Sequence, residues 1–117
     1  MYKTHNDKSI SCNMSCLQGY ITADYDRFVE LFGEPTIGDE YKIDAEWIVE
    51  FDNGTVATIY NWKNGRNYLG HEGDPVEVIT DWHIGGYNRQ AVSLIEDVLA
   101  GVITGECTRV DNQKLLA

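Results

Sequence analysis

Basic residues are scarce in this chain. Only nine of its 117 residues are Lys or Arg, against nineteen Asp or Glu, for a formal net charge of −10. Neutralising phosphates takes clustered cations, so this balance argues against direct binding to DNA, RNA or an anionic membrane surface. Long apolar runs are also missing. No stretch could span a membrane, and Met1 to Lys8 lacks the apolar region of a secretory signal, so a cytoplasmic protein is expected. Cysteine is sparse and odd in number. Cys12 and Cys16 have C-x3-C spacing, but Cys107, His71 and His83 supply no second pair at a matching distance, and His5 sits in a polar N-terminal segment. Reduced thiols are therefore expected, with no metal and no cofactor. A catalytic set is lacking too. Asp81 and His83, two apart on a predicted strand, make half of an acid–base unit, yet no Ser or Cys nucleophile goes with them. The chain reads as a non-enzyme.

What is present is a domain-sized chain with ordinary apolar (43%) and charged (24%) shares, enough for a single core. Its most informative stretch runs from Asp44 to Tyr68. Two alternating β-branched and aromatic segments flank Asp52-Asn53-Gly54-Thr55, which reads as a two-residue type I′ hairpin turn on Asn53-Gly54. That turn would set Phe51 opposite Val56, Val49 opposite Thr58, Trp47 opposite Tyr60 and Ala45 opposite Trp62. One face would then carry Trp47, Val49, Phe51, Val56, Tyr60 and Trp62. The other would pair Ile48 with Ile59 beside Glu46 and Glu50.

Around the hairpin the pattern predicts a first strand at Leu17–Ile21. Thr22 is a good N-cap for a short helix with Tyr25, Phe28, Val29 and Phe32 on its apolar face, closed by Gly33 and Pro35. Residues 76–84 alternate as a third long strand, broken by Gly85-Gly86. Ala91, Leu94, Ile95, Val98 and Leu99 mark a second helix. The order β-α-β-β-β-α predicts an α+β domain, a small antiparallel sheet of three to four strands with two helices on one face. Residues 1–15 are read as an arm, 16–105 as the single domain and 106–117 as a tail.

Two groups of residues are candidate sites. The connection from Lys63 to Pro75 is long for its place and brings Lys63 and Arg66 beside Tyr68 and His71. Cations with aromatic rings suit an anionic, ring-bearing ligand, and His83, Tyr87 and Arg89, around the Gly85-Gly86 turn, could complete such a site. A plain surface loop is the alternative. The second group is the dense acid run from Asp24 to Asp52, where Glu40, Asp44, Glu46 and Glu50 could dock on a basic partner. There the alternative is a solubilising surface. Trp47, Tyr60, Trp62 and Trp82 are core or sheet-face residues, and any aromatic surface that two short helices leave uncovered marks an oligomer interface or a ligand platform. A homo-oligomer is therefore expected.

Phe32 to Pro35 (F-G-E-P), Asp44 to Trp47 (D-A-E-W), Phe51 to Gly65 and Trp82 to Gly86 (W-H-I-G-G) resemble a group of small uncharacterised proteins encoded by bacteriophages. The helix–Gly–x–Pro–strand opening is also similar in architecture to small α+β inhibitor and lipoprotein domains. The phage resemblance implies a counter-defence factor acting in the host cytoplasm. One form is a non-enzymatic, anti-CRISPR-like inhibitor that binds and blocks a host defence protein through its acidic surface. The other is a sponge for a nucleotide-derived immune signal, of the cyclic dinucleotide or cyclic ADP-ribose type.

Overall fold

A computed structural model describes residues 2–5, 16–37, 42–103 and 107–109. Their elements run β1 (Tyr2–Thr4), β2 (Cys16–Thr22), α1 (Tyr25–Phe32), β3 (Thr36–Ile37), β4 (Ala45–Phe51), β5 (Val56–Tyr60), α2 (Arg66–Leu69), β6 (Asp81–Gly86), α3 (Gln90–Leu99) and β7 (Cys107–Arg109). The strands join one sheet in the order β2-β6-β5-β4-β1-β7, with β3 alongside β4. From β2 to β1 all neighbours are antiparallel, and β7 lies parallel to β1. The fold is thus α+β, as the alternation of patterns predicts. The sheet is larger than the expected three to four strands, because three short strands carry too few residues to show a period. One of them lies in the segment read as an arm: Tyr2 pairs with Phe51, is buried, and donates its hydroxyl to the Leu31 carbonyl. Another, β7, lies in the segment read as a tail.

The hairpin falls where the sequence puts it, but with a different turn. The Gly54 N–H donates to the Phe51 carbonyl and the Phe51 N–H to the Thr55 carbonyl, which makes a three-residue loop of Asp52, Asn53 and Gly54. Only Gly54 takes a positive φ, at 87°, while the Asn53 side chain accepts from the Thr55 N–H. The expected type I′ geometry is therefore replaced by the longer loop with one left-handed residue. One added loop residue slides the register by one: Trp47 faces Ile59, Val49 faces Ala57, and Glu46 faces Tyr60. In a sheet that slip exchanges faces. Tyr60 leaves the Trp47 face and joins the opposite one. The gain is core packing, since Trp47, Val49, Ala57, Ile59 and Ile84 now share a buried face.

Helices α1 and α3 cover that face. Phe28 and Phe32 from α1, and Ala91, Ile95 and Val98 from α3, complete one core cluster with it. The rings of Trp47, Trp82 and Phe28 lie 5.3–5.4 Å apart, centroid to centroid. Each indole also spends its N–H on the backbone flanking α1: Trp47 donates to Gly33 at 2.7 Å and Trp82 to Ala23 at 3.0 Å. The two bonds pin both ends of the helix to the sheet, satisfying polar groups that burial would otherwise leave costly. The helix begins after Asp24, two residues later than the expected Thr22 cap.

Residues 76–84 do not form one strand. Val76–Val78 make a single 3-10 turn after Pro75, Val78 is exposed and Ile79 is buried, and the strand starts only at Asp81. It then continues through Gly85-Gly86 instead of breaking there. A Cβ on Gly86 would come within 2.7 Å of the Ala91 methyl, so glycine lets α3 lie against the strand.

Candidate functional site

On the sheet face opposite α1 and α3, the shifted register brings Tyr20, His83 and Tyr60 side by side across β2, β6 and β5. Ring centroids are 4.8 Å apart for Tyr20 and His83 and 5.4 Å for Tyr60 and His83. Trp62, just past the end of β5, stacks on His83 at 6.5 Å and meets Tyr60 edge-on at 6.3 Å. Two lysines lean over this indole, Lys42 Nζ at 5.4 Å and Lys63 Nζ at 5.8 Å from the ring centroid. Lys63 also lies 5.6 Å from the Tyr68 ring. Cations over indole faces are attracted by the ring quadrupole. Two of the nine basic residues are thus concentrated on one aromatic surface of a strongly acidic protein.

The loop that holds Trp62, Lys63 and Tyr68 is built on one fully buried asparagine. Asn61 accepts the N–H groups of Asp44 and Ala45 at its Oδ1, 2.8 and 3.1 Å away. Its Nδ2 donates to Asp44 Oδ1 at 2.9 Å and Asn64 Oδ1 at 3.1 Å. All four hydrogen-bonding positions of the amide are used, which is what burial of such a group requires. Asp44 takes a further bond from the Asn67 N–H, and Asn67 Nδ2 donates to the Ile43 carbonyl. Between these anchors Lys63 adopts a positive φ of 62°, a conformation uncommon for a side chain of this size. Its N–H donates to the Lys42 carbonyl at 2.9 Å, so the two lysines are held as neighbours.

The electrostatics follow from partial burial. His83 has its pKa lowered by desolvation, which favours the neutral ring in contact with Trp62. The Tyr60 hydroxyl is pushed up, first by burial and then by the Glu46 charge across the strand pair. Both groups are therefore uncharged at neutral pH, and the formal charges of the patch belong to Lys42, Lys63 and Glu46. Such a surface can bind through stacking, cation–π contact and hydrogen bonding. Asp81 and His83 emerge on this same face, yet what His83 touches is rings, and the Asp81 backbone carbonyl is the group that meets Asn64.

Of the six residues expected to bind a ligand, Lys63, Tyr68 and His83 converge here. Arg66 lies on α2, exposed, with its Nε donating to the Gly73 carbonyl at 3.4 Å. Tyr87 falls just beyond the far end of β6, roughly 13 Å along the strand from His83 at 3.3 Å per residue, and Arg89 stands at the N-cap of α3 after it. There Tyr87 lines a shallow depression of about 320 Å³ with Asn53, Thr55 and Gln90. The expected site is therefore split in two. Sequence reasoning missed Tyr20, Lys42 and Asn61, although the aromatic surplus did flag Tyr60 and Trp62.

Three of the four expected partner-binding acids fall among the described residues, each with a different neighbour. Asp44 is turned inward as the loop anchor, Glu50 accepts from or pairs with the buried His5 at 3.0 Å, and Glu46 sits beside Tyr60. Glu40 lies outside the described residues. So does Cys12 of the C-x3-C pair, while Cys16 is an exposed free thiol. Among the described residues no group of three His, Cys, Asp or Glu could hold a metal, and no helix is long and apolar enough to cross a membrane. No protein-family model and no curated protein matches the chain.

Proposed function

We propose that the chain is a non-enzymatic inhibitor of the bacteriophage counter-defence type, which blocks a host defence protein by docking its ring–lysine face on it. The observation that carries this reading is the gathering of Tyr20, Tyr60, Trp62 and His83 with Lys42 and Lys63 on one sheet face. Tyr and Trp are the residues that dominate binding energy at protein interfaces. The acids flanking the face, Glu46 and Glu50, steer association and add little affinity. A sponge for an anionic nucleotide is the second reading, supported by the same lysines and rings. It is weaker because the Trp62 ring already carries Lys42, Lys63 and His83, which a stacking base would have to displace.

Bacteria carrying one defence system at a time, and expressing the chain, should again allow plating of a phage they normally exclude. The double variant Trp62→Ala/Lys63→Ala should lose that effect while staying folded. If the variant protects the phage as well as the parent does, the ring–lysine face is not the docking surface. A panel of cyclic dinucleotides and cyclic ADP-ribose isomers tests the rival: a ligand at 100 times its Kd would stabilise the fold by about 2.7 kcal/mol. A shift of that size, lost in the same variant, would replace the inhibitor reading with the sponge.

A further inference from the structure

We infer that β2 is a self-pairing edge, through which two copies of the chain join into one continuous sheet. β2 is the outermost strand on its side, with β6 its neighbour on the inner side and no other strand of the described residues beyond it. An edge strand aims alternate N–H and C=O groups outward, and soluble proteins usually blunt such an edge with Lys, Pro or an inward-pointing charge. The strand Cys-Leu-Gln-Gly-Tyr-Ile-Thr has no Lys, Pro or charge, and its one bulge, between Leu17 and Gly19, leaves the stretch from Gly19 regular. It instead presents Leu17 and Tyr20 at 43% and 67% exposure, two of the larger apolar groups at the surface.

Charge decides what can sit there. Two copies each carrying −10 repel one another over most of their surfaces, and an uncharged strip is where they can approach at short range. Antiparallel pairing of identical strands is isologous and closes at two, so it satisfies both edges without starting a fibre. Residues paired across such a two-fold lie on the same sheet face, and an axis at the most exposed residue of the strand sets Tyr20 opposite Tyr20 of the second copy. The bulge between Leu17 and Gly19 bends the strand's first part, so the paired stretch is the regular part around Tyr20, residues 19–21. The axis stands perpendicular to the sheet. Both helix layers therefore fall on one side, and the two ring–lysine faces lie together on the other. A partner with repeated sites would meet both at once, gaining avidity without a new contact.

The test is the mass of the full chain in solution at high micromolar concentration, by sedimentation equilibrium, for the parent and for Tyr20→Lys. The parent should sediment as a dimer of 13.2 kDa subunits. Tyr20→Lys sets like charges face to face at the axis and should sediment as a monomer with an unchanged circular dichroism spectrum. Amide exchange at residues 19–22 should be slower in the parent than in the variant. A monomeric parent would overturn the inference, and so would a variant that still forms the dimer with equal protection of β2. Neither result depends on which defence component the chain meets, so failure here is separate from failure of the plating assay.

Discussion

The two faces of the sheet are built from the same kinds of residue and bury them to different degrees. Under α1 and α3, Trp47 and Trp82 are buried to within 1% and spend their N–H groups on the backbone beside α1. On the opposite face Trp62 and Tyr60 stay half-buried, and their neighbours are His83 and two lysines. An aromatic residue contributes to folding in proportion to the surface it removes from water, and to binding in proportion to the surface it leaves for a partner. Which role a given ring takes is decided by the face it lands on.

Truncating one tryptophan from each face is the sharpest way to break that comparison. Trp47→Ala should cost roughly 3–5 kcal/mol, the range for deleting a large core aromatic. Trp62→Ala should cost only about 1 kcal/mol, as partly exposed sites do, and yet weaken the plating effect proposed for its face. Urea unfolding measures both, and equal losses would mean that the two faces are energetically alike.

The next largest effect belongs to the polar anchor beneath the exposed face. Asn61→Ala strands the Asp44 and Ala45 N–H groups and should cost about 2–3 kcal/mol, the penalty of leaving buried partners unsatisfied. A loss below that of Trp62→Ala would show that water replaces the amide and that the loop needs no anchor.

The turn comes third, because its length assigns residues to faces. Gly54→Val places a β-branched residue at φ 87° and should cost about 1–2 kcal/mol of strain, although the space around it is open. Asn53→Ala should cost only about 0.5 kcal/mol, since it loses one exposed hydrogen bond to Thr55. Equal losses at both positions in thermal unfolding would restore a turn with two left-handed residues.

The smallest effect is a pH dependence confined to the ring–lysine face. His83 has a folded pKa below its usual 6.5, so the unfolded chain binds the proton more readily. Its contribution to stability is complete above that value and is lost as the pH falls through it towards the folded pKa. Parent and His83→Gln should therefore diverge in Tm below about pH 6.5 and run parallel above it. Parallel curves throughout would mean that His83 is solvated like an ordinary surface histidine.

Much of the frame was legible in the residues. The spacing of Tyr25, Phe28, Val29 and Phe32 predicts the apolar face of α1, though not its cap. Ala91, Ile95 and Val98 predict the buried stripe of α3, and the alternation around Asp52–Thr55 locates the hairpin. The short strands β1, β3 and β7 were not legible, since two or three residues carry no period. The run from Val76 was misleading for a related reason. Its alternating Val76 and Val78 look like a strand, but Pro75 and the need to bury Ile79 bend it into a turn.

The candidate site was half legible. Lys63, Tyr68 and His83 stood out as cations and rings in or near a long loop, whereas Tyr87 and Arg89 were grouped with them on the Gly85-Gly86 turn and the charge of Arg89, and β6 runs on through those glycines to carry both away. By itself the sequence determined the α+β class, the two main helices, the place of the hairpin and the strong net negative charge. Those features rest on local periodicity and composition, which any stretch of chain carries with it. The tertiary structure alone decided the register, the face given to Tyr60, and the meeting of Tyr20, Lys42, Trp62 and His83. A register depends on one loop residue and on which slide buries the better core, and strands distant in sequence become neighbours only when that core closes.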